Sequence, residues 1–240
     1  MSNTITKKSL GLTNNQLKII AMISMFIDHF GLIFFPKVEI FRIIGRLALP
    51  IFAYMIAEGC KYTRNRKRYL GIIAVMATVF QIFYFVFMKS LYQGILVVFS
   101  LSIAIIYAID SFLKNKKLSN RILMALIVLG ILFVVIGFPI IFEQYGVVFD
   151  YGCWALGLPV IVYFAPSKTS KIICCTILLT LMALFTIPRQ IWALFTVPLF
   201  ILYNGERGKT KLKYLFYIFY PLHLVIIYVA YFLMIIISRK

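Results

Sequence analysis

Both histidines of this 240-residue chain stand where water is scarce. His29 lies in the apolar run LKIIAMISMFIDHFGLIFF, residues 17–35, and His223 lies in FYPLHL. Asp28 precedes the first histidine, and Arg46 and Glu58 fall in the next apolar stretch. An ionisable group inside an apolar span costs about 2.5–3.5 kcal/mol on insertion scales, so each of these five residues is a functional candidate by default. Imidazoles, a carboxylate and a guanidinium in one apolar environment make a proton relay or an acid–base site. The plainer roles are helix-pairing ion pairs, a histidine bonded to backbone, and an ordinary end-of-span charge at Glu58.

The spacing already limits the partners. Neighbours on a helix point about 100° apart, so Asp28 and His29 cannot face each other, and each needs a partner on another helix. At about 1.5 Å per residue, Asp28 and Arg46 sit at matching depths across a helical hairpin, and an Asp28–Arg46 pair is feasible. By the same count His29 and His223 can reach one cavity from two helices. Gly31 permits close approach beside them. Pro221 removes a backbone donor two residues before His223 and frees the carbonyl of Tyr217; Pro50 does the same between Arg46 and Glu58.

The elements that must position these groups are membrane helices. Of the residues, 63% are apolar and 13% charged, about half the charged share of a soluble domain. Nine candidate spans of roughly 15–24 residues follow, near 17–35, 43–60, 69–88, 92–110, 121–142, 151–165, 171–187, 190–203 and 214–237. The sixth and eighth are short, which suits reduced tilt or a re-entrant path. The expected fold is an all-α polytopic bundle forming a single domain over 1–240, with residues 1–16 as a short cytoplasmic segment. The first run is too long for a cleavable signal and lacks a small-residue cleavage site.

The net charge is +18. The basic residues cluster between apolar runs, so topology rather than nucleic acid explains them. With the N-terminus inside, the inner segments carry eighteen basic residues and the outer ones six, which predicts N-in, C-out. The four cysteines, Cys60, Cys153, Cys174 and Cys175, form no C-x-x-C pair, so no disulfide framework or structural metal is expected. NGERGKT, residues 204–210, ends like a P-loop, but the position of its first glycine holds Tyr203 and no strand precedes it, which excludes that reading.

Four blocks carry a resemblance: KIIAMISMFIDHFG, RIIGRLALPIFAYMIAEGCKYTRNRKRYL, LYNGERG and KYLFYIFYPLHLVII, at 18–31, 42–70, 202–208 and 213–227, with FDYG at 149–152 between them. In this order they resemble the TraX family, the conjugal-transfer pilin acetylases, with kinship to membrane acyltransferases of the acyltransferase-3 and heparan glucosaminide acetyltransferase types. The resemblance implies a transmembrane acyltransferase-like fold in the cell membrane. It also implies transfer of acetyl from cytoplasmic acetyl-CoA to an amine or hydroxyl on a pilin-like peptide, a glycan or a lipid-linked molecule.

That chemistry needs a base for the acceptor proton and a donor or cation near the developing oxyanion. The expected catalytic residues are His29, Asp28 and His223. The acceptor site would draw on Arg46, Glu58, Tyr220, Tyr203 and Asn204. Coenzyme A phosphates would meet Arg64, Lys67, Arg68, Arg207 and Lys209. Membrane lipids are the surroundings; neither a metal nor nucleic acid is expected. The competing functions are a transporter or flippase for a small polar or lipid-linked solute, against which no inverted repeat is visible, and a membrane scaffold subunit.

Overall fold

The computed structural model describes residues 11–209 and 213–238. Lys7, Lys8, Lys211, Arg239 and Lys240, counted in the charge asymmetry, and the first ten residues of the expected N-terminal segment lie outside them. Among the described residues the secondary structure is helical apart from two isolated bridges, Leu12 with Tyr203 and Gln93 with Phe149. Seven helices are long and apolar enough to cross a membrane, where the sequence reading counts nine; the two further spans correspond to the shorter apolar stretches Gly152–Phe164 and Pro188–Leu202. Large apolar side chains such as Leu126, Phe85 and Phe232 are more than half exposed, as lipid-facing surfaces require. The chain is a multi-pass membrane protein.

The fold has two compact units, 1–51 with 192–240, and 52–191. The first unit contains α1 (Asn14–Phe34), α2 (Glu39–Gly45), the start of α3 (Ala48–Tyr62), α10 (Thr196–Leu202) and α11 (Lys213–Ser238). Thr13 and Gln16 cap α1 reciprocally, satisfying donors that a helix start leaves open. The next donors, the N–H groups of Asn14 and Asn15, go to the carbonyls of Glu206 and Arg207. The LYNGERG block therefore closes the start of α1. It is held by Leu12 N–H to Leu202 and Asn204 N–H to Leu12. Gly208 has φ +87°, and a Cβ there would press on Thr13.

Helices α1 and α11 pack together and run parallel: Lys18 lies over Phe216 and, further along, Phe34 meets Tyr231. Between Gly45 and Ala48 the second apolar stretch breaks into α2 and α3. Pro50 explains the break, because it has no N–H for the carbonyl of Arg46 four residues earlier.

The second unit is built around α5 (Ile95–Lys114), which packs on α4 (Arg66–Met88), α6 (Leu118–Leu132) and α8 (Gly152–Phe164); α8 packs in turn on α9 (Lys168–Phe185). Asn65 and Ser167 cap α4 and α9. A π-helical turn, Phe133–Gly137, joins α6 to α7 (Phe138–Ile141), where Pro139 withholds a donor from Val135. Although only 13 residues long, about 20 Å, α8 follows α5 along most of its length. Its start is tied to the start of α5 through Gln93 and Phe149 and through Tyr92 and Asp150. Its middle meets α5 where the Ser102 hydroxyl donates to the Leu156 carbonyl.

Candidate functional site

The first unit brings Asp28 to Arg46 and His29 to His223 on adjoining helices, as the depths along the sequence predict, and sets Tyr220 beside His223. Each histidine folds back on its own helix: His29 Nδ1 lies 2.9 Å from the Met25 carbonyl, and His223 Nδ1 lies 2.9 Å from the Phe219 carbonyl. Side chains lean toward the N-terminus of a helix, which puts a ring nitrogen over the carbonyl four residues earlier. The two rings then meet, with His223 Nε2 3.2 Å from His29 Nδ1 and ring centroids 5.1 Å apart. The ring of Phe219 stacks on His223 at 5.0 Å, and Tyr220 meets it edge-on at 5.9 Å. His223 is 2% exposed, so its orientation is set by packing.

These contacts assign the protons. A carbonyl only accepts, so His223 Nδ1 carries hydrogen and donates to Phe219. In the neutral ring His223 Nε2 is then an acceptor. His29 Nδ1 faces that acceptor and the Met25 carbonyl, so it carries hydrogen and shares it between them. The remaining lone pair of the pair is on His29 Nε2. The result is a one-way chain from His29 through His223 to the backbone, with a basic nitrogen at one end.

Asp28 points to the other hairpin arm. Its carboxylate accepts from Arg46 at 3.0 and 3.2 Å and from Arg42 at 2.8 Å. Arg46 Nε also donates to the Arg42 carbonyl at 3.0 Å. The expected Asp28–Arg46 pair is present, and Arg42 is an addition that sequence reasoning missed. The available signal was spacing: Arg42 and Arg46 are four apart, on one helix face. The described contacts of Asp28 go to arginines, and no histidine bonds it. Two glycines make room. A Cβ on Gly45 would fall on the Asp28 carboxylate, and one on Gly31 would fall on the ring of Phe41.

Other expected site residues lie elsewhere. Tyr203 is buried, and Asn204 pairs with Leu12 and accepts from Glu206 N–H, so both serve the closure of α1. Glu58, in the second unit, forms a buried ion pair with Lys171 at 2.5 Å, and the Lys171 ammonium lies over the ring of Tyr54. Nothing in the sequence pointed to Lys171. Arg64, Lys67 and Arg68 in the second unit and Arg207 and Lys209 in the first are exposed. Among the described residues no group of three or more His, Cys, Asp or Glu could hold a metal ion.

Fold and site together define a multi-pass helical membrane protein with a paired-imidazole centre between two of its helices. The family model described as TraX protein matches residues 13–231, so the chain belongs to the TraX family. A relative from Dichelobacter nodosus, named probable fimbrial assembly protein FimC, serogroup H1, is 27% identical over 88% of this chain and 93% of its own. The uncharacterized protein RP591 of Rickettsia prowazekii (strain Madrid E) is 36% identical over 43% of this chain and 42% of its own. No solved structure matches.

Proposed function

We propose that the protein is an acetyltransferase of the cell membrane that moves an acetyl group from cytoplasmic acetyl-CoA to an amine or hydroxyl acceptor. The observation that carries this reading is the histidine pair with its single consistent proton arrangement. The acceptor N–H or O–H attacks the thioester carbonyl, forming the new C–N or C–O bond. His29 Nε2 takes the acceptor proton as the bond forms. The C–S bond then breaks, and the coenzyme A thiolate leaves and takes that proton. His223 holds His29 in the right tautomer and supports the imidazolium by accepting from its Nδ1–H, the part a carboxylate plays in a serine–histidine–aspartate triad. Family membership and the fimbrial relative support a pilin-type subunit as the acceptor. In the first unit, which holds the histidine pair, the exposed Arg207 and Lys209 suit recognition of coenzyme A phosphates; Arg64, Lys67 and Arg68 are a separate exposed basic run in the second unit.

The same reading has nine crossings with the N-terminus inside. Two contacts within the second unit support it. Because α8 runs alongside α5 in the same direction, it crosses as α5 does. Lys171, in the first turn of α9, pairs with Glu58 near the end of α3, so α9 starts on the side where α3 finishes. A seven-crossing path would place those two ends on opposite sides.

The test is purified protein in lipid nanodiscs with radiolabelled acetyl-CoA and a synthetic pilin N-terminal peptide. Label should pass to the peptide and should fall about 10²–10⁴-fold in His29→Ala. Undiminished transfer by a folded His29→Ala protein would remove the role assigned to that residue. No transfer by the wild type to amine or hydroxyl acceptors would remove the activity.

A further inference from the structure

Asp28, Arg42 and Arg46 form one cluster on the α1–α2 hairpin, and its charges do not balance. Two guanidiniums meet one carboxylate, so the trio carries one net positive charge close to the start of α2. Arg46 is committed: its side chain is 6% exposed, grips both carboxylate oxygens and bonds the Arg42 carbonyl. Arg42 is different. Its side chain is 22% exposed, and its hydrogen bond to Asp28 uses one N–H of five. Among the described ion pairs Arg42 meets Asp28 alone. Helix pairing needs one arginine for one aspartate, so pairing leaves the second unexplained. An excess cation in a membrane is retained where an anion meets it.

The cluster is also built rather than incidental. Gly45 leaves the space that the Asp28 carboxylate fills, and Gly31 seats Phe41 beside it. Asp28 holds one N–H of the planar Arg42 fork, which limits the rotation of the guanidinium that carries the remaining donors.

We propose that Arg42 holds an anionic oxygen ligand, a phosphate or carboxylate group, with Asp28 and Arg46 as its positioning residues. Two sources supply that chemistry: the headgroup of an anionic lipid, or a diffusible small anion. The claim concerns binding and stands without the transferase reading.

The experiment uses full-length protein in a neutral maltoside detergent at constant ionic strength, with Tm read against titrated ligand. One arm adds inorganic phosphate, and the other adds short-chain phosphatidylglycerol. Wild type should gain roughly 3–6 °C at saturation in at least one arm. Arg42→Gln should weaken the response at least tenfold in concentration. Arg42→Lys, which keeps the charge and loses the fork, should fall between them and shows whether a null result in Arg42→Gln reflects misfolding. Lys116→Gln, in the exposed loop after α5 in the other unit, should respond as wild type does. A response in the phosphate arm assigns a diffusible anion, and one confined to the lipid arm assigns a headgroup. No saturable response in either arm, or equal responses in wild type and Arg42→Gln, overturns the proposal.

Discussion

The two imidazoles differ in what they can do, although each bonds its own helix in the same way. The lone pair of His223 is spent on His29, whereas His29 keeps its Nε2 lone pair. Substitution should therefore separate them. His29→Ala and His29→Gln should both lose transfer, because neither supplies a base. His223→Ala should lose much of it, but His223→Gln should recover part, since its amide oxygen can accept from His29 Nδ1–H. A scaffold role for His223 would give equal losses of stability and no such recovery, so kcat and Tm measured on all four variants decide it. The pair also sets a pH dependence. A second proton on His223 Nε2 would oppose the N–H of His29, donor against donor, so activity should fall on the acid side, and the acid limb should shift in His223→Gln. The convergence of these residues was legible in the sequence because both histidines interrupt apolar runs at matched depths. The direction of the chain was not, because tautomers follow from which carbonyl each ring covers.

At the scale of elements, prolines and glycines decide where the polar side chains stand. Pro50 breaks the second apolar stretch and leaves Arg46 in the gap, as its position between Arg46 and Glu58 predicts. Gly45 lets the carboxylate of Asp28 sit directly on α2. Gly45→Ala should displace Asp28 and cost about 1–3 kcal/mol as an overpacked contact. Gly71→Ala, on α4 with open space at its Cβ, should instead gain about 0.5–1 kcal/mol from helix propensity; thermal melts of the two variants give the comparison. Glu58 and Lys171 make a second test of element pairing. Lys171→Met should cost about 3–5 kcal/mol by leaving a buried carboxylate without its cation, and adding Glu58→Gln should restore most of the loss. If Glu58 served the acceptor rather than the α3–α9 contact, the double variant would regain stability but not transfer. The LYNGERG block shows what a sequence conceals at this scale. Its Glu206 and Arg207 carbonyls serve the opening N–H groups of α1, a use visible only once residues 202–208 and 11–15 are seen side by side.

For the whole molecule the open choice is between seven crossings and nine, and hydropathy alone cannot make it. A span of 13 residues falls below the length that a single helix needs in an average bilayer, yet α8 keeps company with α5 from its first turn and shares its direction. The two paths differ in where they leave the ends of α9. With nine crossings and the N-terminus inside, Thr169 faces the cytoplasm and Ile187 the outside. With seven, both assignments reverse. Single cysteines can be introduced at Thr169 and Ile187 in a background where Cys60, Cys153, Cys174 and Cys175 are replaced, both positions being exposed. A membrane-impermeant maleimide on intact spheroplasts should label Ile187→Cys at once and Thr169→Cys only after permeabilisation. Gln144→Cys and Lys116→Cys, in the loops after α7 and α5, calibrate the outer and inner sides under either count. The opposite pattern at Thr169 and Ile187 would confine α8 to one face of the membrane. It would also leave the Glu58–Lys171 pair without a path, since the chain would then have to join two ends held on opposite surfaces.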